Sequence, residues 1–95
     1  RLKRSDAAMN ERERAVKLDP ANRRYAYVYA VALHSTGKVN AALAMLQKTL
    51  AAHPNDRDVL EALASFHKAR GDGAAAKLYG DRLRAMDNQD VGYKR

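Results

Sequence analysis

Leu60, Leu63 and Ala64 recur at helical spacing between Val59 and Lys68, a stretch without strand-like alternation of large and small residues. That spacing predicts a helix over Arg57–Arg70, closed by Gly71, because glycine adopts the left-handed conformation of a helix end at little cost. A second helix is predicted over Ala74–Asp87. Upstream the same punctuation recurs. Gly37 closes a helix over Arg23–Thr36, and Pro54 stops one over Asn40–His53, for which Asn40 is the candidate N-cap. A leading helix over Asp6–Leu18 stops at Asp19-Pro20.

One segment opposes this pattern. From Tyr25 to Val31 large and small residues alternate, and the Tyr and Val content there favours a strand. The conflict resolves at longer range. Sliding the chain along itself until Arg23 falls on Arg57 also brings Ala30 onto Ala64, Gly37 onto Gly71, Ala42 onto Ala76 and Asp56 onto Asp90. Pro20 falls on Pro54, and Ala8 joins Ala42 and Ala76. Matches of Ala to Ala are cheap in a chain with 19 alanines, whereas the Pro and Gly matches mark turns and weigh more. The partner of Tyr25–Val31 in this register is the helical Val59–Ser65, so both are predicted helical.

A two-helix repeat of this period, about 34 residues, with these turn residues resembles the tetratricopeptide repeat. The slots of that pattern hold Ala26, Tyr29-Ala30, Leu33, Ala42, Leu46 and Pro54 in Arg23–Asp56. In Arg57–Asp90 they hold Leu60, Leu63-Ala64, His67, Ala76, Gly80 and Asn88. His67, Gly80 and Asn88 depart from the pattern, and Gly80 puts a helix-weakening residue where a large one is expected. The resemblance implies an all-α fold: an α-solenoid of antiparallel helix pairs wound as a right-handed superhelix, with about five helices. It divides residues 1–95, one domain, into a leading helix at 6–18, repeats at 23–56 and 57–90, and a tail at 91–95.

In this family the first helix of each pair lines the concave groove that holds partners. The resemblance therefore implies a groove formed by Arg24, Tyr27, Val28, Val31 and Ser35 from one repeat and Asp58, Glu61, Ala62, Ser65 and Lys68 from the next. One wall is apolar and aromatic and the other acidic, suited to an extended or helical peptide with apolar anchors and a basic residue or two. The competing reading is that Tyr27, Val28 and Val31 pack against a neighbouring repeat. Members that clamp C-terminal carboxylates of chaperones carry Lys, Asn and Arg at fixed slots. Here those slots hold Tyr27, Val31, Asp58 and Ala62, and Asp58 repels a carboxylate, so that subtype does not fit.

Charge and composition narrow the remaining classes. The net charge of +7 suggests nucleic acid until it is mapped: Arg1, Lys3, Arg4, Lys94 and Arg95 supply five charges, leaving 13 basic against 11 acidic residues between them. A nucleic-acid reader gathers its basic residues on one folded face, so this partner is not expected. With no cysteine there is no disulfide, thiol nucleophile or Cys-based zinc site, and the compartment stays open. His34, His53 and His67 do not form the i, i+4 pair of a helical zinc motif, and Gly71-Asp72-Gly73 is a turn rather than a phosphate loop. No catalytic constellation, metal site or cofactor is expected, and no apolar run approaches the length of a membrane span.

A chain opening on Arg1 without an apolar leader reads as a piece of a longer protein. Repeat stacks need polar capping elements, and five residues after Asp90 are too few for a capping helix. Leu78 and Leu83 are then expected to lie on an uncovered end. A protein-interaction module is the first expectation, and a structural element that forms a homo-oligomer through its ends is the alternative.

Overall fold

The computed structural model describes the backbone of residues 4–93 and the side chains of residues 7–87. Five helices follow one another: α1 (Arg4–Leu18), α2 (Arg23–Ser35), α3 (Val39–Ala52), α4 (Arg57–Ala69) and α5 (Gly73–Tyr93). No strand occurs among the described residues, so the alternation in Tyr25–Val31 yields to the repeat. The helix α5 continues past the expected Asp87.

The turns show why the elements stop where they do. Gly37 and Gly71 both sit at φ +87°, one at the end of each first helix. After α2 the Gly37 amide donates to the His34 carbonyl and the Lys38 amide to Leu33; after α4, Gly71 donates to Lys68 and Asp72 to His67. This is the Schellman pair of bonds, which satisfies carbonyls that a helix end leaves bare. The starts repeat as well. Asn22 caps α2 by accepting from the Tyr25 amide, and Asp56 caps α4 by accepting from Val59, each at 3.1 Å. Asp72 accepts from the Ala75 amide in the same manner at the start of α5. Asn40 does not cap α3. The helix starts one residue earlier behind Lys38, which makes no side-chain cap bond, because the tight Gly37 turn leads the chain straight into its first turn.

Helices α2 with α3, and α4 with α5, form the most extensive pairs; α3 packs on α4, α1 on α2, and α2 also touches α4. Among the described residues α1 and α3 do not pack on each other, nor do α3 and α5. The shape follows. The radius of gyration is 14.9 Å, against about 12 Å for a compact domain of this length, and the longest axis is 57 Å. Helices stacked along a line give this elongation, whereas a bundle around one centre does not.

The core lies in the middle of the stack. Ala30, Leu46, Val59, Leu60 and Leu63 are wholly or almost wholly buried in one cluster with Leu43 and Leu50. Ala30 and Ala42 show no exposed surface, so larger side chains at these points would push the helices of the first full pair apart. Thr49 is buried but donates its hydroxyl to the Met45 carbonyl at 2.8 Å, which settles its polar group within its own helix. Toward the ends burial falls away. Leu18 and Leu78 are exposed; Leu83, expected to be uncovered, instead packs half-buried against the core.

Candidate partner-binding face

The expected groove residues fall into three places. Tyr27, Val28, Val31 and Ser35 on α2 share a depression of about 330 Å³ with Arg12 from α1. Arg24, Tyr27 and Val28 border a second, of about 320 Å³, together with Arg23 and with Asp58 from the first turn of α4. Tyr27 and Val28 therefore join α1, α2 and the start of α4 into one continuous surface. Glu61, Ser65 and Lys68 lie apart from it, in a depression of about 420 Å³ closed by Ala76 and Leu83 of α5. Ala62 reaches none of these. Expected in the groove, it is buried in the core cluster, which also holds Ala30 of α2 and Leu43, Leu46 and Leu50 of α3.

The charges are rearranged as well. Arg23 donates through Nε and Nη2 to both carboxylate oxygens of Asp56, and Nη2 lies 2.8 Å from Asp58 Oδ2. The Asp56 hydrogen bond is the main reason the Arg23 guanidinium is held even more firmly protonated than usual, with partial burial opposing it. For Asp56, burial pushes the carboxyl upward. The bonds from Arg23 and from the Val59 and Asp58 amides outweigh it, together with the Arg23 charge, and its pKa is lowered. The acid wall expected at Asp58 is thus largely answered from within the chain. Arg12 and Arg24 make no ion pair among the described residues and supply the unanswered charge on the α1–α2 side.

Sequence reasoning did not single out Arg12, although the repeat register points to it. Arg12 occupies the slot that Leu46, a large apolar residue, fills in the next repeat. Arg23 and Asp56 were equally visible at the two ends of one repeat, but only the turn of α2 toward α4 makes them a bonded pair. A further depression, about 480 Å³ and mostly apolar, lies between the end of α1 and the end of α3, lined by Val16, Ala26, Met45 and Ala52 among others. Arg23, Lys48, Thr49 and His53 also border it.

The histidines are scattered. His34 stacks on Phe66 across α2 and α4 with ring centres 3.8 Å apart, and His67 stacks on Tyr79 at 5.7 Å. His53 ends α3. Among the described residues no group of three His, Asp or Glu side chains comes together to hold a metal ion, and no helix is long and apolar enough to cross a membrane.

No curated protein matches the chain in sequence. A family model described as tetratricopeptide repeat matches residues 2–66, from before α1 to within α4. That span covers more than half of the chain and ends just before His67, the first departure from the repeat pattern. Repeats of this kind generally mediate protein–protein interaction and are typically non-enzymatic. With its paired helices, matched turns and stacked architecture, the chain belongs to the tetratricopeptide-repeat family.

Proposed function

We propose that this chain holds a peptide or protein partner on the face formed by α1, α2 and the first turn of α4. The observation that carries the reading is the exposure of Val28 and Val31 beside the half-buried Tyr27, bordered by Arg12 and Arg24. Adjacent apolar side chains left open to water, with a charged rim, are what a docking surface offers a partner. The anchors are Tyr27, Val28 and Val31; Arg24, Ser35 and Asp58 form the rim. Glu61, Ser65 and Lys68 belong to a separate depression and are assigned no part in the same contact.

The test is selection of peptides on the chain from a random library, followed by binding to Tyr27→Ala/Val31→Ala. Selected peptides should lose at least about tenfold in affinity, since two truncated anchors together cost more than about 1.4 kcal/mol, while the helical circular-dichroism signal stays near wild type. Unchanged binding would remove the face from the proposal. Collapse of the helical signal would assign the stripe to the core.

A second reading rests on the other end. Leu78 is exposed on α5, and Ala64, Ala76 and Leu83 form a half-open apolar surface between α4 and α5. Copies of the chain would cover one another there. Sedimentation velocity over a wide concentration range separates the two readings: a monomer throughout favours the peptide-binding face, and a concentration-dependent dimer lost on Leu78→Glu favours self-association.

A further inference from the structure

The two repeats differ at one joint. Between the ends of α1 and α3 lies the cleft of about 480 Å³, which α2 lines through Ala26 and the α1–α2 turn through Pro20 and Ala21. One repeat on, the corresponding slots lie on α3, α4 and α5, and the apolar ones hold larger side chains. Leu50 stands for Val16, Leu60 for Ala26, Leu83 for Thr49 and Met86 for Ala52. Leu50 and Leu60 belong to the core cluster, and Leu83 and Met86 pack against it. The place that the second repeat fills with its own side chains is left open by small ones in the first.

The charges at this joint differ as well. In the second repeat Arg57 donates to Asp87, and Arg82 donates to the Pro54 carbonyl at 2.8 Å. In the first, His53 stands in the slot of Asp87 and Lys48 in that of Arg82. Lys48 is exposed and makes no ion pair or hydrogen bond among the described residues. Arg23, the counterpart of Arg57, turns instead to Asp56 and Asp58. The ionisable side chains that line the cleft are Arg23, Lys48 and His53, all basic in type, and no acid lines it among the described residues.

From this we propose that the cleft binds a small carboxylic acid with an apolar body, such as a medium-chain fatty acid. Its carboxylate meets Lys48, and its chain lies against Val16, Ala26, Met45 and Ala52. The ligand thus supplies what the second repeat builds from its own residues: the apolar volume of Leu60, Leu83 and Met86, and the carboxylate of Asp87.

Size, polarity and charge select this class. A cleft of about 480 Å³ lies in the range of about 300–1,000 Å³ that suits small molecules, and it is bounded on three sides by helices of this chain. Thr49 gives its proton to the Met45 carbonyl, so the hydroxyl is already answered and the apolar lining suits a hydrocarbon chain, whose burial drives binding. The carbonyl ends of α1 and α3 oppose an anion deep in the cleft, which keeps the carboxylate at the exposed Lys48 and the chain inside. A neutral molecule of the same shape leaves Lys48 unanswered, and a cation is repelled by it.

The probe is octanoate, titrated into the full chain by isothermal calorimetry, with the site located by amide shifts in nitrogen–proton correlation spectra. Binding should be saturable and one-to-one, with the largest shifts at Val16, Ala26, Met45, Ala52 and His53. Acetate should not bind over the same concentrations. 1-Octanol and octylammonium should bind at least about fivefold more weakly, the worth of an exposed charge pair. Lys48→Glu should weaken octanoate by about the same factor. Val16→Leu/Ala52→Met, which installs two side chains of the second repeat, should abolish binding while the thermal melt stays at or above that of wild type. Circular dichroism establishes that both variants fold, and Lys48→Glu, a change at an exposed position, decides the case if the filled variant does not.

Four results would overturn the inference: no saturable binding of octanoate, octanol or octylammonium binding as tightly as octanoate, shifts centred on Val28 or Leu78, or binding that survives in the filled variant. None of them bears on the partner-binding face, which is tested through Tyr27 and Val31.

Discussion

Replacing Asp56 by Ala should be among the most damaging single changes at the joint between the two repeats. Its side chain is 5% exposed and performs two tasks: it caps α4 through the Val59 amide and it binds Arg23 on α2. Loss of a side-chain N-cap costs about 1 kcal/mol. Arg23 is 40% exposed, so its pair with Asp56 is credited with no more than about 1 kcal/mol. Together these come to about 2 kcal/mol. For a chain of this length unfolding carries an entropy of about 200 cal/mol/K, so the thermal midpoint should drop by about 10 °C. Asp56→Asn separates the two tasks. Asn caps as well as Asp, and Asn22 does so at the same slot one repeat earlier, so this variant should lose only the ion pair, about half the total.

The pH dependence has a definite sign. The folded pKa of Asp56 is lowered, so its ionised form stabilises the fold above the unfolded value of about 3.9, and that contribution is lost as pH falls through the folded value. The gap between wild type and Asp56→Asn should stay constant from neutral pH down to about 5 and close below about 4. Thermal melts followed by circular dichroism across that range are the assay. A midpoint for Asp56→Ala within about 2 °C of wild type, or an Asp56→Asn variant as unstable as Asp56→Ala, would refute the division between cap and ion pair. Asp58→Ala serves as a control, because its 58% exposed side chain shares the same Arg23 and should cost less than about 0.5 kcal/mol.

Three further changes test the fold itself. Gly80 lies in α5, and a Cβ built there meets nothing within 4 Å, so Gly80→Ala should raise stability by about 0.5–1 kcal/mol, read as an increase of a few degrees in the melt. His67 is buried with neither ring nitrogen hydrogen-bonded, and Leu33 fills the same slot one repeat earlier. His67→Leu should therefore stabilise the chain by about 1 kcal/mol in urea unfolding, after allowing for the lost stacking on Tyr79. Gly71 has room for a side chain but sits at φ +87°, so Gly71→Ala should cost about 1 kcal/mol from the backbone alone, read in the same urea titration.

The helix limits were legible because they are set within a few residues. Gly37 and Gly71 close helices since their own backbone takes a positive φ, and Asn22 and Asp56 open them by bonding an amide three residues on. The repeat itself follows from such local signals recurring at a fixed period, and it outweighed the strand-like alternation of Tyr25–Val31. At the start of α3 the same reasoning picked Asn40, a good capping residue, but the chain leaving the Gly37 turn is already helical at Val39. Local preference lost there to the geometry of the preceding turn.

What neighbouring helices cover was decided only by the tertiary structure. Val28 and Ala62 occupy one slot and looked equally fit for a groove, yet Ala62 is buried in the core cluster while Val28 stays open. Asp58 read as an unanswered acid until α2 brought Arg23 to within 2.8 Å of it. Arg12 gained its place beside Tyr27 and Val31 only when α1 docked on α2. Covalent neighbours fix φ, ψ and capping, so sequence determined most helix limits, the start of α3 and the end of α5 being the exceptions. Burial and charge pairing join residues far apart along the chain, and those depend on which helix packs against which.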